Sequence, residues 1–145
     1  MIPEVKIDKD QTLRRGLLLK NPVNYYITFI DAFVFNPFNG VRTDLPKRFL
    51  LDTGAAITIL NRQFNNLFED GKTPLLDNTK ILYGGGAKVL PVYNVELKID
   101  GFNFKTVAAH DSEMYLDSLL GHYGFINDFR SINMSGQRKK FSLIK

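Results

Sequence analysis

Leu50-Leu51-Asp52-Thr53-Gly54-Ala55 sets an acidic residue directly behind a run of large apolar ones. Burying a lone carboxylate is costly, so Asp52 must be paired, hydrogen-bonded or protonated if the strand carries it inward. Gly54 allows a tight backbone turn and lets amide groups approach the carboxylate. Thr53 adds a hydroxyl that can bond a neighbouring backbone group. As a bare tripeptide, Asp-Thr-Gly occurs by chance in roughly a few per cent of chains of this length. Its flanks are more selective. Lys47-Arg48-Phe49-Leu50-Leu51 leads in and Ile57-Thr58-Ile59-Leu60 leads out, both with strand composition.

Outward from this element the chain reads as short extended segments separated by Gly, Pro and Asn. Tyr25 to Ile30 and Ala32 to Phe35 are rich in β-branched and aromatic residues, and Asn36-Pro37-Phe38-Asn39-Gly40 then predicts a turn. Arg62 to Asp70 predicts a short helix, with Phe64, Leu67 and Phe68 at helical spacing. Lys80 to Tyr83 and Ala87 to Leu90 flank three glycines as a hairpin would. Val92 to Ile99 partly alternates, Asp100-Gly101 turns the chain, and Phe102 to Ala109 pairs back. Gly124 to Arg130 predicts a helical turn or two, and Lys140 to Ile144 a closing strand. The pattern is mainly β, a small closed β-barrel-like sheet with one or two short helices.

Three elements occur in order: Leu51-Asp52-Thr53-Gly54-Ala55, then Tyr83-Gly84-Gly85-Gly86, then Ser118-Leu119-Leu120-Gly121 leading to Gly124-Phe125-Ile126. In this order and spacing the chain resembles the retropepsin-like aspartic peptidases over about residues 24 to 145. The resemblance implies an acid-protease lobe, taken as one domain over 1–145, with Asp52 as the catalytic carboxylate. It implies Thr53, Gly54, Ala55 and Gly121 as support for the active-site loop, and Tyr83, Gly84, Gly85 and Gly86 as a substrate-binding flap. Leu119-Leu120-Gly121 would pass behind the loop, with Gly121 giving the room. Retroviral members often carry a second aspartate two positions after the motif glycine. Here that position is Ala56, so retroviral cleavage specificity does not carry over.

The chemistry of the family needs two carboxylates sharing one proton, and the sequence holds a single Asp-Thr-Gly. Asp100-Gly101 lacks the middle residue, while Asp111-Ser112-Glu113 and Asp117-Ser118-Leu119 lack the glycine. A second copy of the chain must supply the other half, making the expected active unit a homodimer cleaving peptide or protein substrates. Thr53 would bond across the two-fold axis, and Val5 to Ile7 and Phe141 to Ile144 are expected to pair between subunits. The alternative is a non-catalytic peptide-binding or dimerisation module on the same fold.

Composition narrows the remaining classes. The chain has no cysteine, which excludes disulfides, zinc-thiolate sites and thiol nucleophiles. His110 and His122 lie in no metal-ligand spacing, so no metal or cofactor is expected, and His122 reads as a surface histidine. A net charge of +4 comes partly from Arg14-Arg15 and Arg138-Lys139-Lys140. Neither cluster forms a recognisable nucleic-acid module, and solvated surface charge is the expected role. No apolar run reaches membrane-spanning length and Met1 to Lys6 does not read as a signal peptide, giving a cytoplasmic location as the default expectation.

Overall fold

A computed structural model of the chain describes residues 5–18, 20–83, 86–135 and 137–145. Its elements are nearly all strands: β1 (Lys6–Asp10), β2 (Thr12–Leu18), β3 (Asn21–Ile27), β4 (Phe29–Phe35), β5 (Lys47–Leu51), β6 (Ile59–Leu60), β7 (Asp77–Tyr83), β8 (Gly86–Ile99), β9 (Phe102–His110), β10 (Ser118–Leu120), β11 (Ser131–Ser135) and β12 (Lys140–Ile144). Two 3-10 helices, Arg62–Phe68 and Ile126–Asp128, complete it.

Seven strands form one sheet in the order β4-β5-β10-β6-β9-β8-β7. It closes on itself because β4 serves two neighbours. Its first half pairs with β5 (Phe29↔Leu50, Ile30↔Phe49), and its second half pairs with β8 (Phe33↔Lys98, Val34↔Leu97). A ring of this kind hides the open backbone edge that a flat sheet would leave. Alternation then fills it. β4 buries Ile30, Ala32 and Val34, β5 buries Phe49 and Leu51, and β8 buries Val95, Leu97 and Ile99. Each large apolar side chain removed from water contributes about 1.5–3 kcal/mol.

The segment after β6 is a 3-10 helix where the spacing predicts a helix without specifying its type. Asn61 caps it, its Oδ1 accepting from the Gln63 N–H at 3.0 Å. Three residues per turn stack Phe64 directly over Leu67, both fully buried, and leave Phe68 off that line. Phe68 instead stacks on Tyr93 with ring centroids 4.4 Å apart. The predicted turn at Asn36 to Gly40 is also an anchor. Asn36 is fully buried, and its Nδ2 donates to the Leu67 carbonyl at 2.8 Å and the Thr73 hydroxyl at 2.9 Å.

β2 carries no strand signal in the sequence, and the strand expected over Tyr25 to Ile30 is divided at Thr28 between β3 and β4. β2 and β3 form a separate two-stranded sheet, Leu13 facing Tyr26 and Arg14 facing Tyr25. β1 pairs with β12 within one chain, Ile7↔Leu143 and Lys6↔Ile144, and β11 completes a three-stranded sheet. Within one chain, Val5 to Ile7 and Phe141 to Ile144 therefore lie against each other. Ile7, Phe141 and Leu143 are buried and join the main core, so pairing within the chain already removes their apolar surface from water. The basic clusters partly find partners: Arg14 lies 3.7 Å from Asp117, and Lys140 lies 3.7 Å from Asp10.

Candidate active site

β5 and β10 run parallel with Leu119 beside Leu50 and Leu120 beside Leu51. Phe49, Leu51 and Leu120 point to the core, so Arg48, Leu50 and Leu119 lie on the opposite face. Asp52 follows Leu51 directly, and its N–H donates to the Leu120 carbonyl at 3.0 Å, carrying the pairing one residue beyond the strand. The chain then turns. Ala55 N–H donates to the Asp52 carbonyl at 3.1 Å, and Gly54 N–H donates to Asp52 Oδ1 at 2.8 Å. A Cβ at position 54 would stand 3.2 Å from that same oxygen, so glycine keeps the amide close to the carboxylate. Asp52 and Ala55 are half-buried, and Thr53, Gly54 and Ala56 are exposed. A single chain therefore leaves the carboxylate partly open to solvent rather than enclosed in the core.

The segment after β10 crosses behind this loop. Gly121 N–H donates to the buried Thr58 hydroxyl at 3.2 Å. His122 N–H donates to the Ala55 carbonyl at 3.0 Å, Tyr123 N–H to the Ala56 carbonyl at 2.9 Å, and Thr58 N–H to the Tyr123 carbonyl at 2.9 Å. The short helix Ile126–Asp128 then takes up the Gly121 and His122 carbonyls through Ile126 and Asn127 N–H, both at 2.9 Å. Two stretches far apart in sequence, 52–58 and 120–123, are thus laced together by backbone bonds.

The sequence reading missed His122. It is half-buried, and its Nε2 lies 2.7 Å from the Thr53 carbonyl oxygen. Thr58 was missed as well. The available signals were adjacency to Gly121 and a hydroxyl among apolar neighbours, neither of which separates a loop brace from an ordinary residue. His110 is buried. Its ring is buried against Phe68, with Nε2 2.7 Å from Asn65 Oδ1, and burial lowers its pKa while the Asp111 charge pulls the other way.

β7 and β8 form the hairpin that the three glycines predict, with Ile81 opposite Lys88 and Leu82 opposite Ala87. Gly84 and Gly85, the proposed tip, lie outside the described residues, as does the side chain of Tyr83. The root of the hairpin is well packed. Leu90 and Val92 join Ile57, Ile59, Ala109 and Met114 in a second apolar cluster, against which Ile81 and Leu119 pack. Lys88 reaches Asp111 at 3.0 Å and Glu113 at 3.2 Å, and these bonds, Asp111 first, raise its pKa. Further out, Leu82 and Val89 are 79% and 67% exposed, two large apolar side chains on the arms of the hairpin.

The other aspartates considered as a second half-site are engaged elsewhere. Asp100 takes the Lys9 ammonium at 2.6 Å, Asp111 takes Lys88, and Asp117 takes Arg48 at 3.2 Å. Among the described residues no cation pairs with Asp52, and no cluster of three or more His, Asp or Glu is placed to hold a metal ion.

Among solved structures the chain is similar to a retropepsin-like aspartic protease from Rickettsia conorii, at 18% identity and a TM-score of 0.59, over 98% of this chain and 92% of that one. Its fold is that of the retropepsin-like aspartic proteases. A foamy viral protease-reverse transcriptase in complex with an RNA/DNA hybrid also matches, at 13% identity and a TM-score of 0.50, over 75% of this chain and 13% of that one. The EIAV protease complexed with the inhibitor HBY-793 matches at 21% identity and a TM-score of 0.47, over 66% of this chain and 82% of that one. No family model matches the chain.

Proposed function

We propose that the chain is one peptidase domain over 1–145, an aspartic endopeptidase in which two copies each contribute Asp52 to one active site. The observation that carries this reading is the Asp52 carboxylate itself. It is held by the Gly54 N–H at 2.8 Å on a half-open loop that has no second carboxylate of its own. The Gly54 bond alone does not mark Asp52, since Asp70 and Asp111 accept the Lys72 and Glu113 N–H in the same way. Its place does: at the end of β5, beside the 120–123 crossing and half-open, it can be reached by a partner carboxylate and a substrate.

In the dimer, the two carboxylates share one proton, as is general for aspartic proteases, since like charges about 3 Å apart do not both ionise. The ionised partner takes a proton from a water held between them. That water attacks the scissile carbonyl carbon while the protonated partner hydrogen-bonds the carbonyl oxygen. The proton belongs to the pair. The tetrahedral diol then collapses, the C–N bond breaking as the proton taken from the water passes to the leaving amine nitrogen, and no acyl-enzyme forms. Thr53, exposed at the loop tip, bonds across the two-fold axis and braces one loop against its mate. The hairpin arms bearing Leu82 and Val89 close over the substrate.

The test is incubation of the purified protein with a diverse peptide pool across pH, with and without an aspartic-peptidase transition-state analogue, beside Asp52→Asn protein. The expected result is cleavage that the analogue blocks and the variant lacks, with the variant folded as the wild type. Cleavage by folded Asp52→Asn protein overturns the mechanism. Binding of peptides with no cleavage by the wild type returns the non-catalytic module in its place.

A further inference from the structure

We propose that His122 is a positioning residue for Asp52, holding the Thr53–Gly54 peptide so that its N–H stays aimed at the carboxylate. The inference rests on the reading of Asp52 as the reacting group. The Thr53 carbonyl oxygen, 2.7 Å from His122 Nε2, belongs to the same peptide unit as the Gly54 N–H, 2.8 Å from Asp52 Oδ1. A trans peptide is planar, and its C=O and N–H point in opposite directions. One hydrogen bond therefore grips each end of a single rigid plate. Rotation of that plate, the obvious way for a glycine-bearing loop to lose the N–H contact, breaks both bonds together.

The chemistry of the partners sets the direction of the bond. A carbonyl oxygen only accepts, so His122 Nε2 must carry the hydrogen, in the neutral Nε2–H tautomer or in the imidazolium. Hydrogen bonds in series polarise one another. Donation to the Thr53 oxygen makes the Gly54 N–H a stronger donor to the oxygen on which the reaction depends. The imidazole is itself well mounted. His122 N–H is bound to the Ala55 carbonyl and its own carbonyl receives Asn127 N–H, while Gly121 and Tyr123 on either side are bound to Thr58 and Ala56. A side chain merely resting on the surface needs no such frame.

The experiment compares wild type with His122→Ala and His122→Gln, the amide of glutamine being able to replace the Nε2 donor. The readouts are kcat and KM on a cleaved peptide, the Gly54 amide proton shift, and the ring nitrogen shifts of His122 in the wild type. The expected result is an Nε2-protonated ring, an upfield move of the Gly54 amide in His122→Ala, and a loss of about tenfold in kcat with KM little changed. His122→Gln should recover most of both. A wild-type ring protonated only on Nδ1 overturns the proposal, even where His122→Ala fails to fold. So does wild-type kcat with an unmoved Gly54 amide in His122→Ala, or a His122→Gln variant as impaired as the alanine one. Wild-type protein that cleaves nothing counts against the peptidase reading instead, and the Gly54 shift still reports whether His122 holds the peptide.

Discussion

A Cβ on Gly121 would stand 2.5 Å from both the carbonyl carbon and the carbonyl oxygen of Ile57, and 2.9 Å from the Ala55 oxygen. All three are backbone atoms, so no side-chain rotation relieves the contact. Gly121→Ala must therefore push the 120–123 crossing away from the active-site loop. The expected cost is about 1–3 kcal/mol, read as a fall of several degrees in Tm. Peptidase activity should fall further than stability does, because the shift enters the loop that carries Asp52. A variant with unchanged Tm and activity would contradict the crossing.

His110 links stability to pH. Burial lowers its folded pKa below the ordinary histidine value near 6.5. Above about 6.5 both folded and unfolded states leave the ring neutral. As pH falls below 6.5 the unfolded chain takes up the proton more readily, so stability declines until the lowered folded pKa is passed. Thermal unfolding at pH 7.5 and 5.5 should show a larger loss for wild type than for His110→Gln, which keeps a hydrogen-bonding group near Asn65. Equal losses would show that burial of this ring does not contribute to the pH dependence.

The β7–β8 arms should respond to ligand. Leu82 and Val89 expose large apolar surfaces on a hairpin whose root is fixed by Leu90, Val92 and the Lys88 ion pairs. A peptide-like inhibitor lying between the hairpin and the sheet face of Leu50 and Leu119 would cover them. Hydrogen exchange over residues 80–89 is expected to slow by about tenfold or more when the inhibitor binds, as for a lid that closes on its ligand. Equal exchange with and without bound inhibitor would make the hairpin a plain structural turn.

Much of the fold was legible because its signals are local. Lys47–Leu51 and Lys140–Ile144 carry their strand limits in composition, and Val95, Leu97 and Ile99 announce a buried face by alternation. Asp100-Gly101 turns as expected, both residues at positive φ. The β2–β3 hairpin was not legible. Its outward Leu13, Tyr25 and Tyr26 give no clean inside-outside pattern, and Pro22 interrupts a strand. The type of the Arg62–Phe68 helix was hidden for another reason. Phe64 and Leu67 satisfy both a 3.0 and a 3.6 repeat over so short a run. At the candidate site, Asp52 and Gly54 were marked by their motif, but His122 and Thr58 act through contacts made across the crossing of two distant segments. Such contacts depend on the closed fold and leave no periodic trace.

The central claim is that one active site is built from two copies of Asp52. It is tested most directly by mixing wild-type chains with an equal amount of Asp52→Asn chains and letting subunits exchange. Random pairing leaves about a quarter of the dimers wild type on both sides, so activity should settle at roughly half that of the same wild-type chains alone. Dilution below the dimer dissociation constant should lower it further. Wild-type activity left untouched by the added variant after verified exchange would mean that each chain works alone, and the shared pair of aspartates would be wrong.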